Sequence, residues 1–515
     1  MKINDAVNRA FFLKLLVLTL MGQVTAVSMD AQWTKSAQFD SGDMAVDLAE
    51  ALTFQKFPTY TQYLEMMQGF ADSYPEICRL DTIGITDEDR LVLVLKISDN
   101  VDLDEKEAAF LYSSTMHGDE VVGYELMLRL IDQLLQGYGN DNEITNLVDN
   151  LEIWINPLAN PDGSYSRNDG QSLELAVREN GSGADLNRDF PDFTQGEADN
   201  ITGRETETQT MMVFLREKRF TLSANLHSGT EVVNYPWDGV PYLIVDDDWY
   251  KLISREYADE AMAVDPQYMT DLSDDGTING WAWYEALGTR QDYMNYYLGG
   301  RELTLELSVE KLIPSADLEY YWNVNHRSLL NYMTQCLYGI RGTVTDMDTG
   351  EPIQAQIFVV NHDSAYSVIS GTEDYGDYYR LIKEGVYNLI VSAPGYFNDT
   401  VHNVNVTDFQ ATNLDIQLES YNMSVPLPET PGFRIYPNPA INSFIVEPEN
   451  IQGGELEVWV HAIDGRMVYH TIERYYGSSI EIPTRQMEPG IYLVRCSCGN
   501  VSEVQRVMVI NSAKH

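Results

Sequence analysis

The sequence predicts an α/β chain built on a mixed, largely parallel sheet flanked by helices and followed by two small all-β sandwich domains. Three observations predict it. From Phe57 to about Tyr332 the apolar periodicity switches repeatedly between helix and strand. After Cys336 only short alternating strands with turn punctuation occur, and a proline-containing linker then introduces a second all-β texture that runs to the C terminus. At 515 residues the chain exceeds what one hydrophobic core organises, so several domains are expected.

Residues 1–26 read as a secretory signal, because Lys2 and Arg9 precede an apolar stretch from Phe11 to Met21 and Val24-Thr25-Ala26 supplies small residues for cleavage. Lys14 interrupts that stretch, and no later segment approaches the roughly 18 consecutive apolar residues of a membrane-spanning helix. A soluble exported product is expected, secreted or held at the cell surface. Residues 27–54 read as an N-terminal arm or short propeptide. Within 55–336, Tyr63, Met66, Met67, Phe70 and Tyr74 recur at helical spacing, 91–97 and 108–114 read as strands, and 121–135 returns to helix. Segments 151–155 and 220–226 read as buried strands between helical stretches, the texture of a sheet whose ligands collect beyond the carboxyl ends of its strands.

In 337–420, strands at 339–345, 355–360, 378–382, 386–391 and 414–418 alternate with turns such as Asp348-Thr349-Gly350 and Pro394-Gly395, which predicts a β-sandwich without catalytic residue types. The linker, 421–432, carries Pro426, Pro428 and Pro431. The last module, 433–515, opens on Ile435-Tyr-Pro-Asn-Pro439, with strands near Phe444 and at 456–461, 467–470, 480–482, 491–495 and 504–510.

The formal net charge of −46 excludes nucleic acid as a partner, since phosphate binding needs clustered Lys and Arg. A field of that sign favours cationic ligands and equally serves solubility outside the cell. The four cysteines, Cys78, Cys336, Cys496 and Cys498, are too few for a disulfide scaffold and fit no zinc-ribbon spacing, so any metal is held by His and carboxylates.

The segment Ser114-Thr-Met-His117-Gly-Asp-Glu120 falls where a strand ends and a helix begins. His and Glu three apart in a tight turn place imidazole and carboxylate on one side of the chain, as a metal pair needs. The same residues read equally as a helix N-terminus with favourable acids and a solvated histidine. His227, which ends the apolar run from Phe220, offers a third ligand, and two histidines with one glutamate leave a coordination position open, as in hydrolytic zinc sites.

Further motifs follow in order: Asn160-Pro-Asp-Gly163, Arg178-Glu-Asn-Gly-Ser-Gly-Ala-Asp-Leu-Asn187-Arg188, Asn225-Leu-His227, Asn234-Tyr-Pro-Trp-Asp238, Trp283-Tyr284, Gln291-Asp292 and Leu303-Thr-Leu-Glu306-Leu. With them the chain resembles the zinc metallocarboxypeptidases, in particular the N/E-type branch that includes carboxypeptidases D, E, M and N. The resemblance implies the zinc carboxypeptidase fold over 55–336 and one Zn2+ held by His117, Glu120 and His227. It implies that Glu306 is the general base for the attacking water, a role that fits a strand period pointing Thr304 and Glu306 to one face.

It further implies that Arg178 stabilises the oxyanion and that Asn187 and Arg188 grip the substrate's terminal carboxylate, a task suited to a guanidinium fork. Tyr284 would close over the bound C terminus, and Asp238 with Gln291 would receive a C-terminal Lys or Arg side chain. Two departures stand out: Asp119 where relatives usually carry an amide, and Thr289-Arg290 where they carry Gly and an apolar residue, so that Arg290 is expected to compete for Asp238.

The 337–420 sandwich resembles the transthyretin-like domain of that branch. The last module, with Gly465-Arg466 and Pro489-Gly490-Ile491-Tyr492, resembles the sorting domain of type IX secretion substrates, which implies secretion machinery as a partner and passage across an outer membrane. The expected partners are therefore peptide and protein C-termini and that machinery. Two other readings remain at this point: an amidohydrolase of the same fold acting on cell-wall peptides or acylated amino acids, and a non-catalytic surface binding protein.

Overall fold

A computed structural model describes residues 39–510 apart from 365, 422–431, 452–453, 464 and 476–478. The signal at 1–26, the first part of the 27–54 arm and nearly all of the linker lie outside the described residues. The rest of the arm packs on the enzyme-sized region that follows: Phe39 and Phe57 are buried against each other, and the Asp43 carboxylate accepts hydrogen bonds from Ser315 N and Oγ at 2.8 Å each.

Helix α1 (Tyr60–Ser73) starts at Thr59, whose hydroxyl accepts from Gln62 N while the Gln62 side chain accepts from Thr59 N, a reciprocal cap. Strands β1 (Cys78–Ile85), β2 (Leu91–Ile97) and β3 (Ala108–Ser114) follow, then α2 (Val122–Gly137), β4 (Leu151–Asn156), α3 (Thr206–Lys218) and β5 (Leu222–His227). Next come β6 (Thr230–Tyr235), α4 (Asp247–Val264), β7 (Thr277–Asn279), β8 (Arg301–Ser308) and α5 (Leu318–Thr334). The eight strands form one mixed sheet in the order β1-β2-β4-β3-β5-β8-β6-β7. Its centre, β4-β3-β5-β8, is all parallel, so the carboxyl ends of those four strands share one edge.

Every residue of β3, β5 and β8 is buried, the mark of a sheet covered on both faces. Along β3 the two-residue period sends Phe110 and Tyr112 into the larger core with α1, α2, α4 and α5, and Ala109 and Leu111 into a smaller one with Met211, Met212, Phe214 and Leu215 of α3. Two tyrosines pin α5 to the sheet, Tyr112 donating to Leu329 O at 2.8 Å and Tyr332 to Ser223 O at 2.7 Å. Among the described residues no helix is long and apolar enough to cross a membrane.

The second region holds β9 (Gly339–Asp346), β10 (Gln356–Val359), β11 (Ile369–Ser370), β12 (Asp377–Arg380), β13 (Gly385–Ser392), β14 (Asp399–Val406), β15 (Ala411–Asn413) and β16 (Ile416–Leu418). They make two sheets, β11-β10-β13-β14 and β12-β9-β15 with β16 also on β9. Its seam with the first region is ionic. The buried Asp246 carboxylate meets Arg301 at 2.8 Å, Arg380 at 2.9 Å and His362 at 2.8 Å, and Arg380 also reaches Asp363. In the last region, β17 (Gly432–Tyr436), β18 (Ser443–Glu449) and β21 (Ile480–Pro483) form one sheet. The other contains β19 (Gly454–Ala462), β20 (Met467–Tyr475), β22 (Gly490–Cys498) and β23 (Val501–Val509). Phe444, Val458, Val494 and Val507 lie in the core between them.

Candidate metal centre and cleft

The site forms at the shared carboxyl edge. Past the end of β3 the chain turns through Thr115, which has φ +59°, and Glu120 N donates to His117 O at 3.1 Å to close the turn. That turn is braced from below. Asn160 donates through Nδ2 to Met116 O at 3.0 Å and accepts from Gly163 N at 2.8 Å, and Gly118 packs so close to the Gly163 backbone that a Cβ would overlap it. The motif Asn160-Pro-Asp-Gly163 is thus a support. Its Asp162 is fully buried and binds Thr86 Oγ1 and Arg90 at 2.9 Å each.

His117, Glu120 and His227 are all buried and converge. His117 Nδ1 is 3.0 Å from Glu120 Oε1, His227 Nδ1 is 2.8 Å from Glu120 Oε2, and the two Nδ1 atoms are 3.0 Å apart. Burial above all pushes His227 down to about 4, so its ring is neutral. For Glu120 burial opposes the charge, but His117, Lys311 and His227 outweigh it and hold the carboxyl well below its usual range. Neutral imidazole beside an ionised carboxylate is the protonation state a zinc site requires, so the donor set fits Zn2+.

The far nitrogen of His117 has the acceptor a ligating histidine needs, Asp185 Oδ1 at 3.1 Å. Beside the far nitrogen of His227, at 2.7 Å, stands Asn225 Nδ2, a donor. Sequence reasoning missed both residues and Lys311, whose Nζ sits 2.9 Å from Glu120 Oε1. Two had a signal: Asp185 lies two residues before Asn187, and Asn225 shares the strand face of His227.

Arg178 stands at the same centre, its NH1 3.0 Å from His117 Nδ1 and its Nε donating to Asp185 Oδ2 at 2.9 Å. Glu306 pairs in register with His227, and its buried Oε2 has no hydrogen-bond partner. Burial first, then the Glu120 carboxylate, push the Glu306 carboxyl well above its ordinary value. Asn187 is fixed by Arg290 N, which donates to its Oδ1 at 3.0 Å. Arg188 lies 3.5 Å from Tyr284 Oη and 5.9 Å from the Tyr284 ring centre, and Tyr284 is 45% exposed.

Asn187, Arg188, Tyr284, Glu306 and Asp238 line one recess of about 20 Å3. Asp238 is buried and accepts from Asn234 Nδ2 at 3.1 Å, Gln291 Nε2 at 2.9 Å and Thr289 Oγ1 at 2.8 Å. Burial pushes its carboxyl up to about 6 against the pull of those hydrogen bonds. Arg290 does not compete for it: the guanidinium is buried elsewhere, 2.8 Å from Glu302 and 3.5 Å from Asn225 Oδ1. Thr289 caps the helical turn Arg290–Tyr293, so its hydroxyl faces Asp238 while the next side chain points inward. Asp119, the other departure, lies 3.4 Å from Lys311. A larger cavity, about 710 Å3, lies along the seam with the second region, and none of the three converging ligand residues lines it.

Residues 63–328 match the zinc carboxypeptidase family, 339–419 the carboxypeptidase regulatory-like domain, and 434–511 the secretion system C-terminal sorting domain. Carboxypeptidase D of Homo sapiens is 36% identical over 370 residues, 68% of this chain and 26% of that protein. Carboxypeptidase M of Mus musculus is 35% identical over 347 residues, 64% of this chain and 76% of that protein. The chain therefore spans about a quarter of the length of the carboxypeptidase D relatives it matches. Among solved structures, thrombin activatable fibrinolysis inhibitor aligns at 17% identity with a TM-score of 0.49, over 57% of this chain and 77% of that one.

Proposed function

The chain belongs to the zinc carboxypeptidase family, and from that premise we propose that it hydrolyses the C-terminal peptide bond of peptides, with preference for C-terminal Lys and Arg. One observation carries the reading: a carboxylate grip, a glutamate with an unpartnered buried oxygen and a buried aspartate line the same recess.

His117, Glu120 and His227 would hold Zn2+, which when bound supplies Lewis-acid polarisation of the scissile carbonyl and acidifies water. Glu306 takes a proton from the attacking water at its free Oε2 and returns it to the leaving amine. Arg178, anchored by Asp185, supplies positive charge for the developing oxyanion. Asn187 and Arg188 bind the terminal carboxylate, and Tyr284, already beside Arg188, covers it. Asp238, with Gln291 bonded to it, pairs the cationic side chain.

The terminal-carboxylate grip speaks against the amidohydrolase alternative, and the complete ligand set with Glu306 against a non-catalytic binder. The signal at 1–26 and the sorting region support export through the type IX route to the cell surface or beyond, with secretion machinery as the partner of 433–515. The sandwich over 337–420 is structural, locked on by the Asp246 seam.

The test is a peptide series ending in Lys, Arg, Phe or Ala, with free or amidated C termini, with and without chelator. Basic free-acid peptides should be cleaved fastest and chelation should stop cleavage. Activity indifferent to chelator sinks the zinc assignment, cleavage of amidated ends sinks the grip, and faster release of Phe sinks the pocket.

A further inference from the structure

The loop between β8 and α5 brings one cation against the back of the metal centre. Lys311 Nζ lies 2.9 Å from Glu120 Oε1 and 3.4 Å from Asp119 Oδ1. It is not a swinging surface group, for about two thirds of its side chain is buried and its loop is tied at several points. Lys311 O accepts from Val121 N at 3.2 Å, one residue past the ligand, and Gly229 N donates to Ser308 O at 2.7 Å where the loop leaves β8. The N-terminal arm holds the far end: Asp43 Oδ1 accepts from Ser315 N and Oγ at 2.8 Å each, and Lys56 Nζ donates to Ser315 Oγ at 3.0 Å.

A glutamate's last torsion is broad, so the plane of its carboxylate is set by partners and not by its own rotamer. Each oxygen of an ionised carboxylate can accept about two hydrogen bonds. On Glu120 the outer donors are Lys311 Nζ to Oε1 and Ser228 N to Oε2, the latter at 3.1 Å. Arg178 NH1 stands farther off, 3.5 Å from Oε1. The capacity left on each oxygen faces the two rings, Oε1 at 3.0 Å from His117 Nδ1 and Oε2 at 2.8 Å from His227 Nδ1. Two donors on one edge therefore turn the other edge toward the place where the three ligand residues converge.

A cation so close to a metal ligand also repels a divalent ion, which opposes the benefit of orientation. Asp119 answers that. Its carboxylate pairs the same ammonium, so Lys311 offers a strong donor to Glu120 while its charge is balanced from the other side. An amide at position 119 could not supply that balance.

We propose that Lys311 is the positioning residue of the metal-binding carboxylate, holding Glu120 in its ligating orientation, and that Asp119 balances its charge. The inference rests on the zinc reading and deepens it.

The test is zinc affinity of the metal-stripped full chain, measured by competition with a chromophoric chelator and needing no turnover. Wild type should take up one zinc per chain, and failure to do so overturns the parent reading along with this one. Lys311→Met should bind zinc about 10–100-fold more weakly, the scale for losing a partner of a ligating carboxylate. Equal or tighter binding overturns the positioning role, tighter binding showing that repulsion dominates, and leaves the zinc reading standing. Lys311→Arg should stay within about threefold of wild type, because one donor and one charge are all that Glu120 draws on. Arginine as weak as methionine counts against the proposal.

The visible band of the Co2+-loaded protein, which reports ligand geometry, should shift in Lys311→Met and not in Lys311→Arg. An unshifted band in Lys311→Met refutes orientation as the cause. Asp119→Asn should weaken zinc at least about threefold, the scale of a partly exposed charge pair, and unchanged affinity refutes the part given to Asp119. Lys311→Gln, whose amide stops one bond short of Glu120, makes the same comparison if Lys311→Met does not fold.

Discussion

Strand β8 carries two buried polar centres that differ in one respect. At its start, Arg301 joins the Asp246 cluster, where the carboxylate is met by Arg301, Arg380 and His362 within 2.9 Å. Five residues on, Glu306 is equally buried, but one of its oxygens has no partner. The two carboxyls respond in opposite directions. Burial penalises both, yet Arg380 and Arg301 outweigh it and hold Asp246 below its usual range, whereas Glu120 adds to it and holds Glu306 above. The Asp246 carboxylate has both oxygens spent on structure, although Arg301 Nε and Arg380 Nε beside it are unpartnered, whereas a carboxylate with an open oxygen keeps it for a ligand.

The sharpest way to break this contrast is to neutralise each carboxylate. Glu306→Gln keeps the shape and removes the proton acceptor, so kcat on a C-terminal peptide should fall about 10²–10⁴-fold. The thermal midpoint should stay level or rise, because an unsatisfied buried acid is lost. Turnover within tenfold of wild type would mean that Glu306 is not the base.

Asp246→Asn should do the reverse. It leaves Arg301 buried without its counter-charge and Arg380 with only Asp363, and breaking one partner of such a cluster costs about 3–5 kcal/mol. Urea denaturation should show that loss, with kcat/KM per folded molecule little changed. The pH dependence has a defined sign: a carboxyl held low in the folded state stabilises above its ordinary value and loses that contribution as pH falls toward the lower folded one. The gap between wild type and variant should therefore be level above about pH 5 and shrink below about pH 4. A gap that widens in acid contradicts the assignment.

The same contrast explains what was legible in the sequence. His117, Glu120 and His227 stand out because polar residues close apolar strands at one sheet edge, and the fold gathers all three. Asp185 and Asn225 fell within recognised motifs but without a role, because their positions appear only once the far nitrogens of the two rings are located. Lys311 gave no signal, its contact with Glu120 being made across the fold. Arg290 was misread because adjacency to Gln291 in sequence says little about direction: one side chain faces Asp238, the other Glu302. In the sandwich, β14 escaped notice because only Val404 and Val406 of its eight residues are buried, leaving a polar edge strand without alternation.

A milder test concerns Asp238, the buried acid proposed to pair the substrate's cationic side chain. With its carboxyl pushed up to about 6, the proposed preference for a cationic side chain should be present above that pH and be lost as pH falls through it. The ratio of kcat/KM for a Lys-ending over an Ala-ending peptide should drop up to about tenfold for each unit below pH 6, since each unit protonates the acid tenfold further. Taking the ratio cancels groups common to both substrates. Asp238→Asn should give a low, flat ratio, and a flat wild-type ratio would show that Asp238 does not recognise the charge.

The smallest expected effect asks whether the cleft stores strain that the seam does not. None of Asp246, Arg301, His362, Asp363 and Arg380 has a positive φ, whereas Thr115, two residues before His117, has φ +59°. A β-branched residue there costs about 1–2 kcal/mol, and asparagine tolerates the conformation better. Against that, the Thr115 hydroxyl donates to Glu120 O at 3.1 Å, a bond worth about 0.5–1.5 kcal/mol that helps hold the turn between two ligands. Strain is the larger of the two by a little, so Thr115→Asn should raise stability by about 0.5 kcal/mol and leave zinc stoichiometry unchanged. If stability falls instead and zinc binds more weakly, the hydroxyl outweighs the strain, and Thr115 belongs to the support of the metal turn along with Asn160 and Gly163.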